Sequence, residues 1–344
     1  MSGVFQAEFS QLKQLAALHY ENSRHFKSIA DLLFPDWHSA AAIEDLPYIP
    51  AELFKYEALK SIPETDVFKV MQSSGTTSQQ RSKIFLDRET ARKQTKALSS
   101  IIAPVFGRKR VPMLIIDHPG QIQNRASFSA RGAGILGFSM FASSRHFALN
   151  DDMSLNHDAI AEFLNIEAER KMLFGFTAII WQELLQRLDG IGLGQCVGTA
   201  ALLHGGGWKK LAGQNISPQQ FSAQVMAKLP LVTSVHDYYG MVEQTGSIFL
   251  GCSAGHLHTN SNNDVLCRDV NTLEVLPHGQ AGALQVLSTL PTSYPGFSIL
   301  TEDSGTILGQ DDCPCGQPGK YFAVHGRLAQ AEVRGCSDTY ERAA

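Results

Sequence analysis

Apolar positions near the start of the chain recur at helical spacing. Phe5, Phe9, Leu12 and Ala16 step by four, three and four, which predicts one face of an amphipathic helix. Pro35, Pro47, Pro50 and Pro63 then break the pattern, so residues 35–66 are expected to be irregular with short helical pieces. Beyond this N-terminal cap (1–66) strands and helices alternate. Asp87 is placed to cap a helix running to about Ile102, with Ala91, Leu98 and Ile102 inward. The apolar run 111–116, before Pro119-Gly120, predicts a buried strand. Ile160, Phe163, Leu164 and Ala168 mark another helix, and Ile180, Leu184 and Leu188 the next. A strand over 200–203 runs into His204-Gly205-Gly206-Gly207. Ser217-Pro218 opens a helix with Phe221, Val225 and Leu229 on one face. A strand over 231–235 runs into Asp237-Tyr238-Tyr239-Gly240. After residue 250 helices fade, and short strands with Gly and Pro turns take over at 283–287, 298–301 and 306–308. The alternation predicts an α/β core (67–250) whose sheet is covered on both sides, followed by a strand-rich subdomain (251–325) and a tail (326–344).

Composition narrows the class. A chain of 344 residues suggests about two domains. With 44% apolar and 18% charged residues, it is neither disordered nor a coiled coil. Lys plus Arg is 29 and Asp plus Glu is 33, a net charge of −4 without a basic run, which argues against nucleic acid as a partner. The longest nearly apolar stretch, 173–181, falls far short of the ~20 residues of a membrane span. The N-terminal MSGVFQAEFSQLKQL has no basic region followed by an apolar block, so no secretory leader is expected. Six cysteines do not make a disulfide scaffold. A cytoplasmic protein is expected.

Five of the six residues in Ser73-Ser74-Gly75-Thr76-Thr77-Ser78 carry hydroxyls, and Gly75 permits backbone conformations closed to most residues. Such a loop can turn several N–H and O–H donors toward one anion, with Arg81 and Lys83 adding positive charge. It is not a Walker A loop, because no Gly-Lys-Ser/Thr follows at the required offset. The plain alternative is a polar surface turn.

Three other motifs need weighing. Gly132-Ala133-Gly134-Ile135-Leu136-Gly137 fits the dinucleotide pattern, but the polar 127–131 before it is no buried strand. Gly251-Cys252-Ser253-Ala254-Gly255 fits a nucleophile elbow, and His204-Gly205-Gly206-Gly207-Trp208 fits an esterase oxyanion segment. An elbow must continue into a helix, whereas residues 256–263 have no helical period, so a serine esterase is the weaker reading. Cys313-Pro314-Cys315 places two thiols on one turn. Cys252 with His256 or His258 offers the remaining ligands of a structural zinc site, against the alternative of ordinary thiols.

In order along the chain, several segments resemble the LuxE acyl-protein synthetases, within the broader adenylate-forming enzymes. Ser73-Ser74-Gly75-Thr76-Thr77 with Ser82-Lys83-Ile84-Phe85-Leu86-Asp87 is similar to their phosphate loop and following strand. His204-Gly205-Gly206-Gly207-Trp208-Lys209-Lys210 is similar to the glycine segment beside adenine, and Tyr239-Gly240-Met241-Val242-Glu243 to the Tyr-Gly-x-x-Glu block. Thr301-Glu302-Asp303-Ser304-Gly305 resembles the ribose-binding block, and Gly326-Arg327 with Val333-Arg334-Gly335-Cys336-Ser337 the hinge arginine and acylated cysteine. Ser78 and Val242 depart from the usual Gly and Thr. The Pro-Cys-Gly region with Cys252 is also similar to phenylacetate–CoA ligase relatives, some of which look zinc-bearing.

The resemblance implies an acyl-CoA synthetase-like large domain, with β-sheets layered by helices, without the full mobile C-terminal domain. It implies that ATP and Mg are used to activate a carboxylic acid, of the fatty class, as an acyl-adenylate. Ser73, Ser74, Gly75, Thr76, Thr77 and Lys83 would serve the phosphates, Glu243 Mg, Asp303 the ribose, and Gly206 and Gly207 with Tyr238, Tyr239 and Gly240 the adenine side. Arg327 would clamp the nucleotide at the hinge. Cys336, helped by Arg334, would take the acyl group as a thioester and pass it to an acceptor protein such as a fatty-acid reductase. An acyl-CoA ligase, with CoA as acceptor, is the alternative within the same chemistry.

Overall fold

A computed structural model describes residues 7–73, 81–123, 130–188, 197–207 and 216–328. The chain forms two compact units, one holding the residues up to Ile101 and most of those after Tyr238, the other built around Ile102–Tyr238.

In the first unit, α1 (Phe9–Asn22) and α2 (Arg24–Leu33) bury Leu12, Leu15, Ala16 and Phe26. The proline-rich stretch that follows holds short 3-10 turns, the two-residue strand β1 (Ile49–Pro50) and the single-turn helix α3 (Leu53–Tyr56). β2 (Lys69–Gln72) and β3 (Lys83–Leu86) pair as an antiparallel hairpin with Gln72 opposite Lys83. Beyond that pair Ser73 N donates to Ser82 O at 3.0 Å, and Ser82 N to Ser73 Oγ at 2.9 Å. Ser73 and Ser82 thus close the foot of the β2–β3 hairpin. α4 (Arg88–Phe106) starts where Asp87 Oδ1 accepts from Thr90 N at 2.6 Å. It runs past the expected end at Ile102, because a Pro in the last turns removes one hydrogen bond without stopping the helix.

The second unit is a parallel sheet. Its strands are β4 (Val111–Ile116), β5 (Ala142–Phe147), β6 (Arg170–Phe176), β7 (Thr199–Gly205) and β8 (Val232–Tyr239), in the order β5-β4-β6-β7-β8. Between them lie α5 (Gly120–Gln123), α6 (Ala130–Ser139), α7 (His157–Asn165), α8 (Thr177–Ile179, continued by a wide turn to Leu185) and α9 (Pro218–Lys228). Parallel strands need such crossovers, and β4 and β6 read as continuous apolar runs because they are buried on both faces. Gly132 and Gly134 lie inside α6, so that segment is no phosphate turn. α7 stops at Asn165, and Ala168 lies beyond it. Ser217 caps α9 reciprocally with Gln220, as its sequence predicts. β8 continues through Asp237 and Tyr238 rather than ending at Val235.

The chain returns to the first unit through β9 (Phe249–Gly251), β10 (Leu257–His258), β11 (Asn263–Arg268), β12 (Ala281–Ser288), β13 (Ser298–Gln310) and β14 (Lys320–Arg327). These make antiparallel pairs in the order β11-β12-β13-β14-β10, and β1 lies parallel to β13 with Ile49 opposite Ile299. Phe26, Phe54, Tyr294, Phe297 and Phe322 form the centre of its core. Gly251–Gly255 leads through a turn into β10, not into a helix. Ser253 therefore lacks the strand-turn-helix support of a nucleophile elbow, which removes the basis of the esterase reading.

Candidate functional site

In the first unit, β13 and β14 align Asp303 with Arg327 as a register pair. Arg327 Nε lies 3.3 Å from Asp303 Oδ1, while its Nη1 donates to Glu302 Oε2. Lys55, just after β1, places its Nζ 3.7 Å from the same Glu302 oxygen. Tyr239 donates its hydroxyl to Asp303 Oδ2 at 2.7 Å. Burial, followed by the Asp303 charge, holds the Tyr239 hydroxyl well above its ordinary range, so it stays a donor. One Asp303 oxygen is thus engaged by a phenol and the other by a guanidinium. Such double engagement fixes a carboxylate's plane while leaving lone pairs for a further donor, such as a ligand hydroxyl.

Glu243 sits in a short 3-10 turn and is almost fully buried. Burial raises its carboxyl above the ordinary value, while the nearby Ser82 side chain and the charges of Lys55 and Arg327 pull it back. Its backbone carbonyl accepts from the Tyr294 hydroxyl at 2.9 Å, which pins the turn. Ser82, at the foot of the β2–β3 hairpin, therefore lies near enough to act on Glu243. A buried carboxylate beside a hydroxyl suits Mg²⁺, which usually takes one or two protein carboxylates and completes its shell with water and phosphate oxygens. Lys83 is exposed on β3, and Gly240 lets the chain pass Ile248, since a Cβ there would lie 2.9 Å from Ile248 Cγ2.

In the second unit β7 ends at Gly205, where a Cβ would stand 2.7 Å from Tyr238 Cε1. Gly206 (φ +94°) and Gly207 (φ +70°) turn left-handed, and a Cβ on Gly206 would lie 2.7 Å from Phe176 Cδ1. Tyr238 stacks with Phe174 and meets Phe138 edge-on. The glycines thus bring flat backbone against aromatic faces. His204 just before them is held by Thr177, whose hydroxyl donates to Gly205 O at 3.1 Å and accepts from His204 Nδ1 at 2.9 Å. This assigns the Nδ1–H tautomer. Burial, reinforced by His236, lowers the His204 pKa to about 3, so the ring is neutral and no catalytic acid near pH 7.

Ser74, Gly75, Thr76, Thr77, Arg334 and Cys336 lie outside the described residues. Ser73 closes the hairpin foot. Cys252, His258, Cys313 and Cys315 come together, with one ligand atom from each within 4.8 Å of the others. Sequence reasoning missed Lys55 and Glu302, and used Ser82 only as part of a motif. Glu302 adjoins a recognised residue, whereas nothing around Lys55 marks it.

The sequence matches the family described as "Acyl-protein synthetase, LuxE" over residues 9–344. The chain belongs to the LuxE acyl-protein synthetase family. Among LuxE-family relatives, it is 22% identical over 307 residues to the long-chain-fatty-acid–luciferin-component ligase of Aliivibrio fischeri, covering 86% of this chain and 78% of that one. It is 26% identical over 141 residues to the Vibrio harveyi protein of the same name, covering 40% of this chain and only 35% of that protein. A solved structure of 2-hydroxyisobutyryl-CoA ligase, in the postadenylation state with R3-HIB-AMP, matches with a TM-score of 0.62 at 14% identity. That match covers 93% of this LuxE chain and 66% of the ligase. The fold is therefore that of adenylate-forming ligases. Among the described residues, no helix is long and apolar enough to cross a membrane.

Proposed function

We propose that this protein uses ATP to activate a carboxylic acid, of the long-chain fatty class, and then captures the acyl group on its own cysteine. The observation that carries the reading is the Asp303 carboxylate, which accepts from the Tyr239 hydroxyl at 2.7 Å on one oxygen and meets Arg327 Nε at 3.3 Å on the other. A carboxylate held in this way suits a pair of ribose hydroxyls, and the buried Glu243 carboxylate suits a phosphate-bound cation. Family membership and the names of the relatives support the substrate class.

A carboxylate oxygen attacks the α-phosphorus of ATP, and the bond to the pyrophosphate oxygen breaks. The products are acyl-AMP and pyrophosphate. Catalysis of this kind depends on positioning and on neutralising charge. The hairpin hydroxyls and Lys83 hold the departing phosphates. Asp303, oriented by Tyr239 and Arg327, accepts from the ribose hydroxyls. Gly206, Gly207 and Tyr238 receive the adenine. Mg²⁺ on Glu243 would supply charge neutralisation on the phosphates.

In the second step the Cys336 thiolate attacks the acyl carbonyl, AMP leaves, and a thioester forms. Arg334, two residues away in the sequence, would favour the thiolate of Cys336. A partner protein, a fatty-acid reductase by the family's precedent, then takes the acyl group. Fatty-acid-dependent exchange of labelled pyrophosphate into ATP tests the first step. Exchange with long-chain acids, lost without Mg²⁺, is expected; its absence with every carboxylic acid tried overturns the reading. Free acyl-CoA on adding CoA would instead identify CoA as the acceptor.

A further inference from the structure

The four-residue cluster of thiols and imidazole plays no part in the chemistry above, yet it is built like a ligand set. Cys313 and Cys315 lie on the turn between β13 and β14, and His258 ends β10, which pairs with β14 so that His258 faces Tyr321. His258 Nε2 lies 3.3 Å from Cys313 Sγ and 3.4 Å from Cys315 Sγ. Cys252 heads the turn leading into β10, where Gly255 N donates to Cys252 O at 2.9 Å. Cys252, His258 and Cys313 are buried.

Three features around the cluster hold its ligand atoms in place. The backbone amide of Gln317 donates to Cys315 Sγ at 3.3 Å, which orients the sulfur. His256 Nδ1 approaches Cys313 Sγ at 3.4 Å. Tyr321 stacks on both imidazoles, at 5.1 Å from His256 and 5.8 Å from His258, and so fixes their planes. A metal on His258 Nε2 would keep the proton on Nδ1. That atom is buried without a well-aligned partner, though the Pro318 carbonyl is near enough to act on the ring. The described cysteines form no disulfide.

We propose that Cys252, His258, Cys313 and Cys315 bind one structural zinc ion. Three thiolates and one imidazole are a tetrahedral set suited to zinc, and with no water ligand the ion is closed to catalysis. On binding, each thiol releases its proton as its sulfur bonds the metal, with no change of oxidation state. The ion would anchor the β13–β14 turn to β10, at the end of the strand pair away from Asp303 and Arg327. This inference does not depend on the acyl-activation reading.

The test is metal content of the full-length chain purified under reducing conditions without chelator, beside Cys315→Ser and His258→Asn. About one zinc per chain is expected in the wild type. Each variant should bind zinc roughly tenfold or more weakly in chelator competition. A wild type that holds no zinc and takes up none from equimolar Zn²⁺, or a Cys315→Ser protein of unchanged affinity, overturns the proposal. Cobalt substitution of the wild type decides the matter if the variants fail to fold. The intense visible bands of tetrahedral thiolate-bound Co²⁺ support the site, and the weak spectrum of octahedral Co²⁺ overturns it.

Discussion

The Tyr239 hydroxyl donates to Asp303 Oδ2 at 2.7 Å across 64 residues of sequence. A hydrogen bond to a charged group of this kind contributes about 1.5–3 kcal/mol. Tyr239→Phe removes it while Arg327 still holds the other oxygen. The KM for ATP should rise about tenfold, with the KM for the fatty acid unchanged, in pyrophosphate exchange. Equal changes in both constants would show that Tyr239 acts on folding rather than on Asp303.

Glu243 gives a stability prediction with a definite sign. Burial raises its folded-state pKa above the unfolded value, so the folded chain holds this proton more tightly. The resulting stability is present below the ordinary pKa of 4.5 and is lost as pH rises through the folded value. Glu243→Gln removes that loss. Urea melts between about pH 4 and 7 should show the variant gaining on the wild type as pH rises. Mg²⁺ with ATP should stabilise the wild type more than the variant.

His19 runs the other way. Its Nε2 donates to Pro291 O at 3.1 Å, its Nδ1 accepts from Ser61 Oγ at 2.8 Å, and burial lowers its pKa to about 4. The depressed value means the unfolded chain takes up the proton first. Stability is full above pH 6.5 and falls as pH drops toward 4. His19→Gln should flatten the pH dependence of unfolding in that window by about one proton. An unchanged slope would show that His19 is already charged in the fold.

Gly206 tests the aromatic cradle. Its φ of +94° and the 2.7 Å approach of an added Cβ to Phe176 Cδ1 leave no room for alanine. Gly206→Ala should destabilise by about 1–3 kcal/mol in thermal or urea unfolding. Alanine at Gly207, which meets nothing within 4 Å, bears only the backbone strain of its φ and should cost less.

Cys336→Ser should still form acyl-adenylate, detected by hydroxylamine trapping, yet carry no acyl label after incubation with labelled acid and ATP. Equal labelling of variant and wild type would remove Cys336 from the mechanism.

Local pattern made some of this molecule legible from its sequence. The 111–116 run is strand β4, and Ser217-Pro218 starts α9, because both signals act within a few residues. β8 was harder. His236 and Asp237 interrupt its apolar run, yet the strand continues to Tyr239, with His236 Nδ1 bonded to Gly251 O at 2.9 Å. The Asp303–Arg327 pair needs the register of two long strands, and Lys55 reaches Glu302 only because β1 lies along β13. Such long-range partners leave no spacing for a motif to follow. The closing of the β2–β3 hairpin by Ser73 and Ser82 likewise needs two strands in register, and the approach of Ser82 to Glu243 rests on tertiary packing.

The parallel pairing of Ile49–Pro50 with Ile299–Leu300 has a consequence for synthesis. A ribosome releases the first sixty residues long before their partner strand exists. Phe26 and Phe54 must wait for Phe297 and Phe322 to emerge before they can leave water. The growing chain therefore carries exposed apolar surface through most of translation, and its early segment settles only when the late strands arrive.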